Sequence, residues 1–247
     1  MRKLELFLFF PPVGYLYTIP IPATNKFLKG PLDLGEFMRW VGCWLYMVFW
    51  VGIPERREWW SVTLPVIHGG DPFRLKRFMS CHCFDEIIAS LRYTNRKVQY
   101  EDGLFHMMKM EEEWEKNMAD RFNPYWTNVI GKSIMGWYNF FPPGFMCVEQ
   151  KLNNFGNEHY AIYCGLTSIL WRAHIFEGKD RPKQMGPKLH LELGRTVGLM
   201  IQMCGPIFYT GKYVVMDSGF CVSNGIVALA MKGVYSSVII KKRRCWL

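Results

Sequence analysis

A single aspartate ends an apolar segment in the last part of the sequence. Asp217 closes the segment KYVVMD, and the segments SNGIVALAMK and GVYSSVIIKK follow it. In an open α/β sheet, ligands and catalytic groups gather at the carboxyl ends of the strands. Asp217 is therefore a candidate catalytic carboxylate, and capping of the strand accounts for its position equally well.

Basic residues form the second group with potential chemistry. The predicted phosphate contacts are Lys241, Lys242, Arg243 and Arg244 after the last predicted strand, with Arg56 and Arg57 in the first half. Clusters of Lys and Arg give sequence-independent affinity for nucleic acid and also act as nuclear addresses, so we expect the nucleus as the location. For the C-terminal four, a solvated chain end is the alternative.

The distribution of charge agrees with a polyanionic partner. The chain has a formal net charge of +9, and from Tyr125 onward 14 Lys and Arg face 6 Asp and Glu, which gives 14 − 6 = +8. Nucleic acid or an anionic membrane surface would fit this balance, as would a generally basic surface. The apolar run from Trp40 to Ile53 is shorter than the ~20 residues that span a bilayer, so it predicts a buried helix and no membrane partner.

Aromatic residues near the middle of the chain are also candidates for contacts with bases. They are Tyr125, Trp126, Trp137 and Tyr138. Packing in the core is the default expectation for such large side chains.

Helices are predicted in the first half of the chain and mostly strands in the second. Asp33 with Glu36 has capping-box spacing before a helix, and further amphipathic segments continue to about Phe122. After Asn123 come three β-rich runs, then a helix, a strand, a helix and a strand, the last two strands being parallel. We therefore predict a helical region over 1–123 and an α/β region over 124–247, α+β overall.

This order of features resembles the piggyBac-like DNA transposases, and the likeness covers nearly the whole chain. The segment YVVMDSGFCVSNGIVALAMKGVYSSVIIKKRR is similar to the family's strand with the second catalytic Asp, the helix ending in Lys-Gly, and the strand running into basic residues. Upstream, the REWWS turn at Arg57–Ser61 and the segment Met79–Asp85 resemble the family's N-terminal helical region.

The resemblance implies an RNase H-like core, a mixed sheet with flanking helices, which in this chain is truncated. In this family three acidic residues hold two divalent metal ions. Phosphoryl transfer needs both the attacking and the leaving oxygen stabilised, and paired Mg²⁺ ions about 4 Å apart do this. Mg²⁺ prefers carboxylate oxygen and water.

The chain departs from the family pattern at two of the three acids. Asp217 matches the second acid, but Gly131 stands where the first Asp belongs and Lys132 where a Glu follows it. The third acid belongs downstream of Leu247. By this resemblance Asp217 is a metal ligand only in an active protein, so we expect no cofactor, with Mg²⁺ only if catalysis persists.

The leading hypothesis is a transposable element-derived protein that is catalytically inactive and retains DNA binding or dimerisation. Its partners would be duplex DNA resembling a transposon end and a second copy or a full-length transposase. One alternative is an active Mg²⁺-dependent transposase or nuclease subunit completed by a partner chain. Another is a module that pairs with full-length transposases without touching DNA.

Overall fold

The computed structural model describes most of the chain. The described residues are 8–49, 56–61, 75–95, 104–136, 144–149, 154–176 and 192–240. The chain divides into two compact units, Pro12–Lys97 and a second made of Met1–Pro11 with Val98–Leu247. The predicted boundary between residues 123 and 124 thus falls inside the second unit, because the helix before it packs on the sheet.

The unit Pro12–Lys97 is helical in its described residues. Its elements are α1 (Val13–Thr18), α2 (Pro20–Asn25), α3 (Leu34–Phe49) and α4 (Cys81–Ser90), with 3₁₀ turns at Arg56–Trp60 and Leu75–Arg77. Asp33 Oδ1 accepts the Glu36 backbone N–H at 2.7 Å, so the predicted cap at the start of α3 is present.

An aromatic core holds this unit together. The Phe84 side chain of α4 is fully buried, and its ring centroid lies 5.3 Å from that of Trp44 and 4.9 Å from that of Trp60. The Trp60 indole N–H donates to the Met79 carbonyl at 2.7 Å. Two segments that suggested the family resemblance, REWWS and the one beginning at Met79, therefore pack against each other.

The second unit is a six-stranded sheet with helices. Its elements are α5 (Phe105–Arg121), β1 (Thr127–Gly136), β2 (Phe145–Cys147), β3 (Phe155–Cys164), β4 (Leu170–Ile175), α6 (Arg195–Cys204), a 3₁₀ turn at Gly205–Ile207, β5 (Tyr213–Met216), a 3₁₀ turn at Ser218–Phe220, α7 (Ser223–Met231) and β6 (Tyr235–Val238). All the predicted strands are present. The short strand β2 was not predicted, because three residues are too few to show alternation.

The sheet is mixed. The strand order is β2-β3-β1-β5-β6, and β4 also pairs with β3. Strands β2, β1 and β4 pair with β3 antiparallel, whereas β1–β5 and β5–β6 are parallel. An antiparallel meander is followed by two parallel strands, each preceded by a helix, so the predicted α/β class with a mixed sheet and flanking helices is confirmed.

The core of this unit lies between the sheet and α6 and α7. Alternate residues of the central strands, such as Ile130 and Met216, are buried against Met200 and Met203 of α6 and Leu229 of α7. Helix α5 packs on β4. Among the described helices none combines the length and the apolarity needed to cross a bilayer.

A buried polar link joins β1 to β4. Asn128 is fully buried, its Oδ1 accepts the Trp171 indole N–H at 3.0 Å, and its Nδ2 donates to the Tyr125 carbonyl at 3.0 Å. Replacing Asn128 by alanine should lower the free energy of unfolding by about 2–4 kcal/mol, since a buried donor and an acceptor lose their partners. Urea denaturation measures this loss.

The matched control is Ser133→Ala, which removes a polar side chain from an exposed position of the same strand. We expect its free energy of unfolding to stay within about 0.5 kcal/mol of the parent value. Equal losses in the two variants would contradict the assigned role of Asn128.

Candidate functional site

The positions of the first two family acids are neighbours in the sheet. In the parallel β1–β5 pair Ile130 lies opposite Met216, so the next residue along each strand brings Gly131 beside Asp217. The sequence prediction that Asp217 ends a central strand is correct, because β5 lies between β1 and β6. A Cβ atom on Gly131 would meet no other atom within 4 Å. The backbone at this position therefore accepts a side chain at its first carbon without a clash.

The Asp217 side chain caps the turn that follows it. Its Oδ1 accepts the Gly219 backbone N–H at 2.7 Å, at the start of the 3₁₀ turn Ser218–Phe220. The carboxylate thereby satisfies a backbone donor that the turn leaves without an intrahelical acceptor. Of the two roles considered for Asp217, the capping role is the one its contacts display.

Lys132 occupies the space next to Asp217. Its Nζ atom and Asp217 Oδ1 both lie within 4 Å of the point where a Gly219 Cβ would sit. Lys132 also forms an ion pair with Glu158, with Nζ 2.9 Å from Oε1, and the Glu158 side chain is mostly buried. The cation is thus fixed by a partner strand rather than extended into solvent.

Both oxygens of Glu158 have partners. Oε1 meets Lys132, and Oε2 accepts the Tyr160 hydroxyl at 2.6 Å. Burial, together with the hydrogen bond and the charge of Glu158, raises the pKa of Tyr160, and the charge of Asp217 acts in the same direction. Tyr160 therefore stays a neutral donor, and it lies within electrostatic reach of both carboxylates.

A cavity of about 120 Å³ opens beside this cluster. Its lining consists of Lys132, Tyr160, Arg195, Thr196, Leu199, Gly219 and Phe220. Arg195 is the first residue of α6, and its guanidinium carbon lies 3.9 Å from the ring centroid of Phe176. Two cations thus line the cavity next to Asp217.

These residues do not fit the divalent metal pair that the family resemblance implies. Gly131 offers no ligand, Glu158 is engaged by Lys132 and Tyr160, and Asp217 alone remains. Among the described residues no three His, Cys, Asp or Glu side chains are grouped closely enough to hold a metal ion. A lone carboxylate beside an ammonium group is a poor site for Mg²⁺.

The predicted phosphate contacts fall in two places. Lys241, Lys242, Arg243 and Arg244 lie outside the described residues. Arg56 and Arg57 both approach Asp85, with distances to its carboxylate of 2.7 and 3.8 Å. The Arg57 side chain is nevertheless 80% exposed and stays accessible.

Sequence comparison identifies the family. A family profile described as Transposase IS4 matches residues 8–246. The chain belongs to this transposase family. A search of curated proteins gives no significant match.

The fold of this transposase-family chain is also that of a solved transposase. Its structure is similar to one described as a cryo-EM structure of a piggyBac transposase synaptic complex with hairpin DNA, with a TM-score of 0.72 and 12% sequence identity. The similarity covers 96% of this chain and 52% of that chain. The chain therefore spans about half the length of that transposase, and the shared feature is the fold.

Two residues of the site, Tyr160 and Arg195, were not predicted as site residues from the sequence. Tyr160 follows Glu158 by two positions in β3, so the two share a face of the sheet, and this spacing was a usable signal. Arg195 had no such signal, since only the packing of α6 brings it to the end of β5. Lys132 was identified as a substitution and Glu158 as an acid that could approach Asp217, but the ion pair between the two was not predicted.

Proposed function

We propose that this transposase-family chain is a DNA-binding protein that no longer carries out strand transfer. The observation that carries the proposal is that Gly131 and Asp217 directly follow the last paired residues of β1 and β5, Ile130 and Met216, and that Lys132, close to Asp217, is held by Glu158. A two-metal mechanism needs several carboxylates at this point. In this chain Gly131 supplies no carboxylate at the first position, and the next residue, Lys132, is a cation.

The proposal of DNA binding rests on charge and on the family. The net charge is +9, and the fold neighbour is a transposase in a complex with hairpin DNA. We propose duplex DNA as the partner, with contacts from Lys241, Lys242, Arg243 and Arg244 and from the exposed Arg57. We also propose that the protein is located in the nucleus. It would form a dimer, either with a second copy of itself or with a full-length transposase.

Fluorescence anisotropy with labelled duplex DNA at several salt concentrations tests the binding. We expect the logarithm of affinity to fall linearly with the logarithm of salt concentration, because each phosphate contact releases counterions. Replacing Lys241, Lys242, Arg243 and Arg244 by glutamine should flatten the slope by about 0.9 per lost contact. Affinity that does not change with salt would remove the proposal of DNA binding.

A cleavage assay tests the loss of catalysis separately. End-bearing DNA incubated with the protein and Mg²⁺ or Mn²⁺ should remain intact, and Asp217→Asn should behave like the parent protein. Metal-dependent cleavage that Asp217→Asn abolishes would instead establish the enzyme alternative, in which another chain completes the site. The binding measurement is unaffected by either outcome.

A further inference from the structure

Exposed aromatic residues gather at the amino ends of the parallel strands. Tyr125 and Trp126 come directly before β1, Tyr209 and Tyr213 lie before and at the start of β5, and Tyr235 begins β6. Four of the five are more than half exposed: Tyr125 51%, Trp126 57%, Tyr209 76% and Tyr235 60%. We call these five residues the aromatic edge. Packing of Tyr125 and Trp126 in the core was therefore the wrong expectation.

Backbone hydrogen bonds fix the aromatic edge in place. The Tyr213 N–H donates to the Trp126 carbonyl at 2.7 Å, and the two ring centroids are 5.9 Å apart. Tyr213 and Tyr235 are directly opposite in the β5–β6 register, so their side chains leave the same face of the sheet. The Tyr209 N–H donates to the Lys232 carbonyl at 2.7 Å, which ties the loop before β5 to the loop before β6.

The segments that carry the aromatic edge contain basic residues and no acidic ones, although Glu112, Glu115 and Asp120 of α5 line the same cavity as Lys212. Residues 121–130, 205–216 and 231–240 contain no Asp or Glu, but they contain Arg121, Lys212 and Lys232. Lys212 lies next to Tyr213 and binds the side-chain oxygen of Asn123 and the carbonyl of Pro124. The Lys232 ammonium lies 5.0 Å from the ring centroid of Phe208, beside Tyr209. Cations at both ends of the edge favour an anionic ligand.

We propose that the aromatic edge binds an unpaired nucleic-acid strand. Every base has a π-face, so exposed tryptophan and tyrosine rings stack on bases without regard to sequence, and flanking lysines contact phosphates. A base-paired duplex hides these faces in its stack. The edge is at the opposite ends of β1 and β5 from Asp217, and it does not depend on the duplex contacts proposed above.

Binding of a fluorescein-labelled oligothymidine, measured by anisotropy at low salt, tests the proposal with the full chain. The variant Trp126→Ala with Tyr235→Ala should lose affinity for this strand by about tenfold or more. Its affinity for duplex DNA should stay unchanged. The variant Trp126→Phe with Tyr235→Phe should keep the affinity, because phenylalanine also stacks.

A matched control and a second readout separate stacking from unfolding. Phe155→Ala removes an exposed aromatic residue from β3, away from the aromatic edge, and should leave oligothymidine affinity at the parent value. Oligothymidine should quench part of the tryptophan fluorescence of the parent, and Trp126→Phe should remove that part while binding persists. Circular dichroism checks that each variant is folded.

Three outcomes would overturn the proposal. The parent protein fails to bind oligothymidine at low salt, or the alanine pair binds as tightly as the parent. The third is that the alanine pair changes the sedimentation of the protein and leaves oligothymidine affinity intact, which would make the edge a protein interface.

Discussion

A variant with Gly131→Asp and Lys132→Glu is expected to bind a divalent cation that the parent protein does not bind. The new aspartate would lie beside Asp217 in the neighbouring strand, and a Cβ at Gly131 meets nothing within 4 Å. The second change removes the ammonium group that pairs with Glu158. Because successive residues of a strand point to opposite faces, it is the carboxylate at position 131 that would join Asp217 as a ligand, and carboxylates are the ligands that hard cations prefer.

Thermal unfolding with and without Mn²⁺ measures the effect. At a metal concentration about a hundredfold above the dissociation constant, binding to the folded state alone should add about 2.7 kcal/mol to the free energy of unfolding. Without metal the variant should be less stable than the parent, because like charges crowd together and Glu158 loses its partner. The metal should therefore rescue a protein that the substitutions weaken.

Two further variants make this result specific. Gly131→Asn with Lys132→Gln has nearly the same shape without the charge, and it should show no stabilisation by Mn²⁺. Adding Asp217→Asn to the acidic pair should remove most of the stabilisation. If Mn²⁺ stabilised the parent protein or the amide variant as strongly as the acidic pair, the assignment of positions 131 and 217 to one metal site would be wrong.

Gly156→Ala is expected to be among the most damaging single substitutions in the sheet. Gly156 has φ +150, and a Cβ there would sit 1.8 Å from the Met135 carbonyl oxygen and 2.7 Å from its carbon. These are backbone atoms of the paired strand β1, where Gly156 lies opposite Gly136. The added methyl group can be accommodated only if the β1–β3 pairing opens.

The expected loss in the free energy of unfolding is about 3–5 kcal/mol, combining backbone strain with lost strand pairing. This corresponds to a fall of about 10 °C in melting temperature for a chain of this size. Gly131→Ala in the same pair of strands is the matched control and should cost almost nothing, since its Cβ would lie in open space. Similar melting temperatures for the two variants would show that the close approach at Gly156 is absent.

Local patterns in the sequence determined the elements and the position of Asp217. The apolar run in KYVVMD and the capping residue Asp33 depend only on near neighbours along the chain, and both predictions agree with the structure. The substitution of Gly131 for an acid was likewise readable once the family resemblance was recognised. Strand ends and missing side chains are properties of short segments, so a sequence reveals them.

Contacts between distant segments were decided by the tertiary structure. The ion pair of Lys132 with Glu158 depends on the register of β1 against β3, and Arg195 reaches the cavity only through the packing of α6. Trp126 is exposed because it lies just before β1, at the end of the sheet. Its large hydrophobic side chain had led us to expect it in the core. Register and packing sum many weak interactions between residues far apart in the chain, and no local pattern encodes them. The sequence alone therefore located the acid that remains, and the fold showed what now surrounds it.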